Sequence, residues 1–316
     1  MKRESVLLGE IYSRSAGMGS RFPAVVVGPG DDCAVVRIAS AMRTVDALWT
    51  VDQVVEGRHF RKGEDVVLVG RKAVARSVSD IAAMGGRPVA ATATGALPDD
   101  FAQESELFAA MKEFAEEWGC PLVGGDIARC EGAMVLTVSV LGVSHETRGP
   151  VLREGARVGD GVYVTGEVGG SFESGKHLRF EPRVGEGTLL CDALGERLHA
   201  MIDVSDGVGR DAGRIALASG VGMEIEVGAL PLAEGLGAGD WKRGLSEGED
   251  YELLFTVAES ACESVANEIE VSGRDGVTRR VRVTRIGRMV EGSGCVGVLN
   301  DGTRVDAAEL GWDHGA

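Results

Sequence analysis

The sequence predicts a two-domain protein of the α/β or α+β class. Three observations carry this. The chain has 316 residues, about twice the length of a common single domain. Stretches with helical spacing of apolar residues alternate with short β-branched runs along its whole length. A polar, glycine-rich segment at 144–160, SHETRGPVLREGARVGD, separates two such series. It places the boundary between domains 1–148 and 149–316.

Each element follows from local signals. Leu7, Leu8, Ile11 and Tyr12 fall at helical spacing and predict a helix over 4–16. Gly28-Pro29-Gly30-Asp31-Asp32 reads as a turn, with strands over 33–38 and 47–51. A long, largely apolar stretch from Glu64 to Met84 predicts a buried helix stopped by Gly85-Gly86. Residues 88–97 read as a strand, and a helix is expected from Asp99-Asp100 to Trp118. A brief strand is expected to end at Gly124-Gly125-Asp126, and 134–143 is an apolar, β-branched strand. In the second half, strands are expected at 162–165, 222–227, 251–257, 280–287 and 295–299. Helices are expected near 186–199, 206–219 and 259–269.

Composition excludes several functions. The net charge is −16 and no Lys/Arg-rich run exists, so a nonspecific nucleic-acid binder is disfavoured. An acidic chain can still bind phosphates if cations bridge the two. No apolar stretch approaches the roughly 18 residues of a membrane span, and Met1 to Ser5 is too polar for a signal peptide. A soluble, cytoplasmic protein is the expectation. Six cysteines lie at 33, 120, 130, 191, 262 and 295, with no CxxC and no zinc spacing, and read as small buried hydrophobes in a reducing compartment. The 47 glycines with only 8 prolines imply many turns or close approaches of backbone to ligand.

The chemistry lies in acidic residues set beside Gly, Ser or Thr: Asp31-Asp32, Asp52, Asp80, Asp126, Asp203, Asp206 and Glu249-Asp250. Singly, each is a cap or turn residue. Gathered in one site they would repel unless a cation were present, and hard oxygen ligands of this kind suit Mg²⁺ with substrate phosphates. Gly170 to His177 nearly matches a P-loop, but His177 stands where Ser or Thr must hold Mg²⁺. Protein-kinase, zinc-protease and α/β-hydrolase motifs are absent.

Read in order, GPGDDCAVV, TVDQVVEGRHF, GRKAVARSVSDIAAMGGRP, LVGGDIARC, REGARVGDGVYVTG, HLRFEPRV, AMIDVSDGVGRD and GEDYELLFTV resemble the thiamine-monophosphate kinase family of the aminoimidazole-ribonucleotide synthetase-like superfamily. The resemblance covers nearly the whole chain. It implies an N-terminal mixed sheet with helices that binds ATP and Mg²⁺ and dimerises, and a C-terminal α/β domain that completes the site. It implies ATP-dependent phosphorylation of thiamine monophosphate to thiamine diphosphate, with several Mg²⁺ ions, in a homodimer. Asp32, Thr50, Val51, Asp52, Asp80, Asp126, Asp203 and Asp206 match metal ligands, with Asp52, Asp126 and Asp206 closest to the chemistry. Gly125, Asp126, Arg153 and Ser205 match nucleotide contacts. His59, Glu249 and Trp312 match positions that hold thiamine phosphate.

The sequence departs from the family pattern in places. Val51 lacks a side-chain oxygen, so a metal contact there must use its carbonyl. Ile127 follows Asp126 in place of Thr, the segment between Thr165 and His177 is short, and Phe180 stands where Pro is common. Other ATP-using members of the superfamily, related to aminoimidazole-ribonucleotide synthetase or to hydrogenase maturation, and a catalytically inactive nucleotide-binding regulator, are the alternatives.

Overall fold

The computed structural model describes residues 4–39, 44–272 and 277–312. The N-terminal part contains α1 (Glu4–Ser15), α2 (Met18–Arg21), β1 (Val25–Val27), β2 (Ala34–Ala39), β3 (Thr44–Val55), α3 (Val66–Ala83), β4 (Arg87–Pro98), α4 (Glu104–Glu117), β5 (Leu122–Cys130) and β6 (Val135–Val143). Its strands form one sheet in the order β1-β2-β3-β6-β4-β5. The ladders are antiparallel except β4–β5, which is parallel, so the sheet is mixed. Alternation decides its faces. Leu48, Val54, Leu136, Val138 and Val140 are buried, while Trp49, Val51 and Leu141 between them are exposed.

Helix α3 covers the inner face and is buried nearly all round. Its buried circumference includes Arg71, Lys72, Ser77 and Ser79, so this central helix carries polar side chains inward. Asp65 caps its start, accepting from the Val67 N–H at 2.9 Å. α4 packs on α3 from outside, with Leu107 and Met111 inward.

The C-terminal part contains β7 (Gly161–Thr165), two single-turn helices α5 (Ser171–Ser174) and α6 (Lys176–Arg179), α7 (Val184–Leu194), β8 (Leu198–Asp203), α8 (Val208–Ser219), β9 (Gly222–Glu226), α9 (Trp241–Ser246), β10 (Leu253–Val257), β11 (Glu268–Ser272), β12 (Thr278–Val290), β13 (Cys295–Val298) and β14 (Arg304–Asp306). Its sheet runs β14-β13-β9-β12-β7-β10-β8, with β11 on β12. α8 packs on this sheet over a core that includes Ile202, Ile215 and Ile225. α7 packs over a second core that includes Leu190, Met201 and Phe255, and it reaches α3 of the first domain.

Three expectations need correction. The strand thought to end at Gly124 continues through Gly125 and Asp126 to Cys130. Its pairing with β4 supplies the missing signal: a Cβ on Gly125 would stand 2.0 Å from the Ala93 carbonyl oxygen, so glycine permits the ladder rather than ending it. Residues 259–269 are not one helix. Glu259–Ser264 is a 3₁₀ segment and Glu268–Ser272 pairs with β12, an override of local helical preference by a long-range ladder. The helix expected to 199 stops at Leu194, and residues from Leu198 enter β8, which the periodicity hid. Boundaries elsewhere shift by a few residues; α4 starts at Glu104 rather than at Asp99. Among the described residues no helix is long and apolar enough to cross a membrane.

Candidate active site

Three elements converge between the domains. Asp32 follows the turn before β2, Asp80 lies near the C-terminal end of α3, and Asp203 ends β8. One carboxylate oxygen from each lies within 4.8 Å of the others. Burial, then the neighbouring carboxylates Asp52, Asp203 and Asp32, push the Asp80 carboxyl well above its ordinary range. Asp203 is raised in the same way, by burial and then by Asp32. Asp31 beside them is raised to about 7 by burial and by Asp32. Acids held this close repel one another unless a proton or a cation neutralises them.

Neighbouring donors fix these carboxylates. Thr50 Oγ1 donates to Asp80, and Ser79 Oγ donates to Asp203 Oδ2 at 2.6 Å. Arg153, in the segment joining the domains, bonds Asp32 through Nη2 at 2.7 Å and Nε at 3.3 Å, and its backbone N–H reaches Asp31 at 3.0 Å. Asp52, on the inner face of β3, meets Arg76 Nη2 at 3.3 Å. Asp206 pairs with Arg214, whose other arm holds Asp211. Asp211 in turn accepts the N–H groups of Ser205 and Asp206 at 3.0 Å each, shaping the turn after β8.

Arg76 leads from Asp52 into a cavity of about 460 Å³ lined by His59, Phe172, Ser205, Asp206, Glu249 and Trp312 among others. The three residues matched to thiamine phosphate thus share one cavity. His59 accepts the Val55 N–H on Nδ1 at 3.0 Å, which leaves Nε2 to carry the ring proton. Trp312 is about half exposed and its N–H bonds the Asp206 carbonyl at 3.0 Å. The wall at 247–252 is strained. Glu249 and Tyr251 have φ of 67° and 51°, conformations disfavoured for residues other than glycine. A Cβ on Gly248 would stand 2.3 Å from the Ser205 carbonyl oxygen. Glu249 N–H to Ser205 O and Tyr251 N–H to Val204 O, both 2.8 Å, hold this path against β8.

Two matched residues stand elsewhere. Register carries Asp52 across Val138 and Ala93 to Gly125 on edge strand β5. Asp126 is therefore three strands, about 14 Å, from Asp52, opposite Thr94 on the outer face. Val51 also faces outward, 61% exposed. Lys176 of the P-loop-like segment donates to the Glu167 carbonyl at 2.6 Å and to Glu252 at 2.9 Å, so its charge is already engaged. Lys72, Arg76, Phe172 and the Arg183–Glu252 pair were not singled out from sequence. A Lys set among Val69, Gly70, Ala73 and Val74 in a helix expected to be buried was the signal available for Lys72.

Residues 30–144 match the family described as AIR synthase related protein, N-terminal domain, and residues 157–300 match AIR synthase related protein, C-terminal domain. Thiamine-monophosphate kinase of Rhodopirellula baltica is 35% identical over 296 residues, 86% of this chain and 92% of that protein. The chain belongs to the thiamine-monophosphate kinase family. The Escherichia coli member is 32% identical over 92% of both chains. The structure of AaThiL complexed with AMPPCP and TMP superimposes with a TM-score of 0.74 at 28% identity, covering 96% of each chain. Thiamine monophosphate kinase from Aquifex aeolicus gives 0.69 at 27% identity, covering 94% of this chain and 97% of that one. The hydrogenase maturation protein HypE of E. coli, 20% identical with a TM-score of 0.66, shares the fold alone.

Proposed function

We propose that the chain transfers the γ-phosphoryl group of ATP to the phosphate of thiamine monophosphate, a phosphotransferase reaction with a phosphate group as acceptor. The carrying observation is the Asp32–Asp80–Asp203 cluster set beside a cavity walled by an imidazole, a carboxylate and an indole. AaThiL, with the same fold, was captured with an ATP analogue and TMP.

In the reaction an oxygen of the acceptor phosphate forms a bond to the γ-phosphorus, and the bond from that phosphorus to the bridging oxygen breaks. ADP leaves with that electron pair, and thiamine diphosphate remains. The attacking oxygen is ionised at neutral pH, so no strong general base is required. Catalysis is in-line positioning with charge stabilisation and no phosphoenzyme. His59, Glu249 and Trp312 hold the acceptor, with the indole face and the Glu249 carboxylate suited to the cationic thiazolium. Arg153 and Ser205 are placed to hold the nucleotide beside the acidic cluster; Gly125 and Asp126, matched to the same role, lie three strands away on β5 within one subunit.

The donor set fits Mg²⁺: all-oxygen, acidic and crowded enough to need a cation. Asp32, Thr50, Asp52, Asp80, Asp126, Asp203, Asp206 and the Val51 carbonyl would hold the ions. When bound, Mg²⁺ neutralises phosphate oxygens and lowers the Coulomb repulsion between ATP and acceptor, several kcal/mol at a site-like dielectric. The spacing of Asp52 and Asp126 means that no single ion is shared by these two within one subunit.

We further propose a homodimer joined through the outer face of the first sheet. Ile38, Trp49, Val51, Val123 and Leu141 are exposed there, and a continuous apolar sheet face is unusual on a monomer. Asp126 and Val51 lie on that face. The division into 1–148 and 149–316 is supported by one sheet on either side of it. A cytoplasmic location is supported by six free cysteines.

ADP release with thiamine monophosphate as acceptor tests the reading. Turnover is expected with this acceptor and not with thiamine or formylglycinamidine ribonucleotide. Asp52→Asn is expected to fall below about a tenth of wild-type activity, a barrier increase above about 1.4 kcal/mol. Turnover on the ribonucleotide instead would favour another branch of the superfamily, and tight nucleotide binding without turnover would favour a regulator.

A further inference from the structure

Lys72 lies in the middle of α3 and is fully buried. An ammonium removed from water is strongly unfavourable unless its donors are paired. Here Nζ donates to the His59 carbonyl at 2.6 Å and to the Glu249 carboxylate. It also lies 5.5 Å from the centroid of the Phe172 ring. His177 stacks on that ring, with centroids 4.0 Å apart. Burial and the Lys72 charge hold the His177 imidazole neutral, its pKa down to about 4.

The three partners of Lys72 come from three segments: the turn after β3, the single turn α5, and the strained wall at 247–252. Two belong to the C-terminal domain and one to the N-terminal domain. All three line the same cavity, whereas Lys72 is not among its lining residues. A compact tetrahedral ammonium can direct its donors to partners set around one point, whereas a guanidinium directs its donors within one plane. With Glu249 Oε2 taken by Lys72, Oε1 is the oxygen left for a cationic ligand.

We propose that Lys72 is a positioning residue for the acceptor: its buried charge sets His59, Phe172 and Glu249 relative to one another across the domain junction. This rests on the assignment of the cavity to thiamine monophosphate. Helix α3 thus carries both halves of the site, Asp80 toward the acidic cluster and Lys72, two turns earlier, behind the acceptor pocket.

The test is calorimetric binding of thiamine monophosphate and, separately, of the ATP analogue AMPPCP with Mg²⁺. The proteins are wild type, Lys72→Met, Glu249→Gln and Lys72→Met/Glu249→Gln. Lys72→Met is expected to weaken acceptor binding about tenfold or more and AMPPCP binding less than about threefold. In the Glu249→Gln background, where no buried carboxylate is orphaned, Lys72→Met is expected to cost about threefold through His59 and Phe172. That pair decides the matter if the single variant fails to fold. Equal losses for both ligands would overturn the proposal in favour of general packing. So would unchanged acceptor affinity in both backgrounds. A wild-type chain that binds AMPPCP but not thiamine monophosphate would overturn the functional reading itself, and the proposal with it.

Discussion

Trp312 shows how a single residue at a chain end is recruited to a site. Its backbone is pinned to Asp206, yet about half of its surface stays exposed over the cavity. An indole face attracts a desolvated cation by about 0.5–2 kcal/mol. Trp312→Ala is therefore expected to raise KM for thiamine monophosphate by about 2–30-fold with KM for ATP unchanged, and Trp312→Phe to recover part of the loss. Parallel drift of both constants with a lower Tm would instead show that the indole only anchors the chain end. The carboxylates work differently: Asp32, Asp80 and Asp203 acquire meaning only together, because burial and the neighbouring carboxylates push Asp80 and Asp203 up.

At the scale of elements, the segment entering β10 does two jobs. Its first residues, Glu249 and Tyr251, adopt strained backbone at the cavity; the next, Glu252, anchors it. Arg183 forks onto Glu252 with contacts of 2.7 and 2.8 Å, and Lys176 and Thr165 complete the cage. Burial alone would raise the Glu252 carboxyl, but Arg183 and Lys176 outweigh it and hold it down at about 2. A depressed carboxyl contributes stability above its unfolded value near 4.5 and loses it as pH falls toward 2. The contribution is about 3 kcal/mol. Urea unfolding at pH 6 and pH 3 should show that loss in wild type and a flatter dependence in Glu252→Gln, which is also less stable at pH 6 because two part-buried cations lose a carboxylate partner. Identical pH dependence in both proteins would remove Glu252 from this role. The same cage explains why a P-loop-like string is not a phosphate loop: its lysine already has a carboxylate.

Across the whole molecule, two sheets present different problems. The second sheet is covered by α7 and α8, and the first is covered on one face by α3 and α4. The other face leaves Trp49, Val51 and Val123 in solvent, each more than half exposed. Pairing with a second copy would remove that area from water at about 25 cal/mol per Å² of apolar surface. Light scattering is expected to give twice the chain mass for wild type and the single-chain mass for Val51→Asp/Val123→Asp, with activity falling as the dimer dissociates. A monomeric wild type that turns over normally would exclude this interface.

The sequence by itself determined the family, the alternation of helices and strands, and the identity of the acids, because ordered short motifs and apolar periodicity are local properties of the chain. It marked α3 as buried. It did not reveal β8, β11 or the course of β5 through Gly125 and Asp126, since a strand is defined by its partner and the partner lies far away in sequence. Nor could spacing tell that Asp32, Asp80 and Asp203 meet while Asp126 stands on the opposite sheet face three strands off. Only the tertiary structure decided that, because the order of strands in the sheet, not their order in the chain, sets which side chains share a dielectric. Lys72 is the sharpest case. Its sequence context is that of a core helix, and its meaning depends on three partners between 13 and 177 positions away.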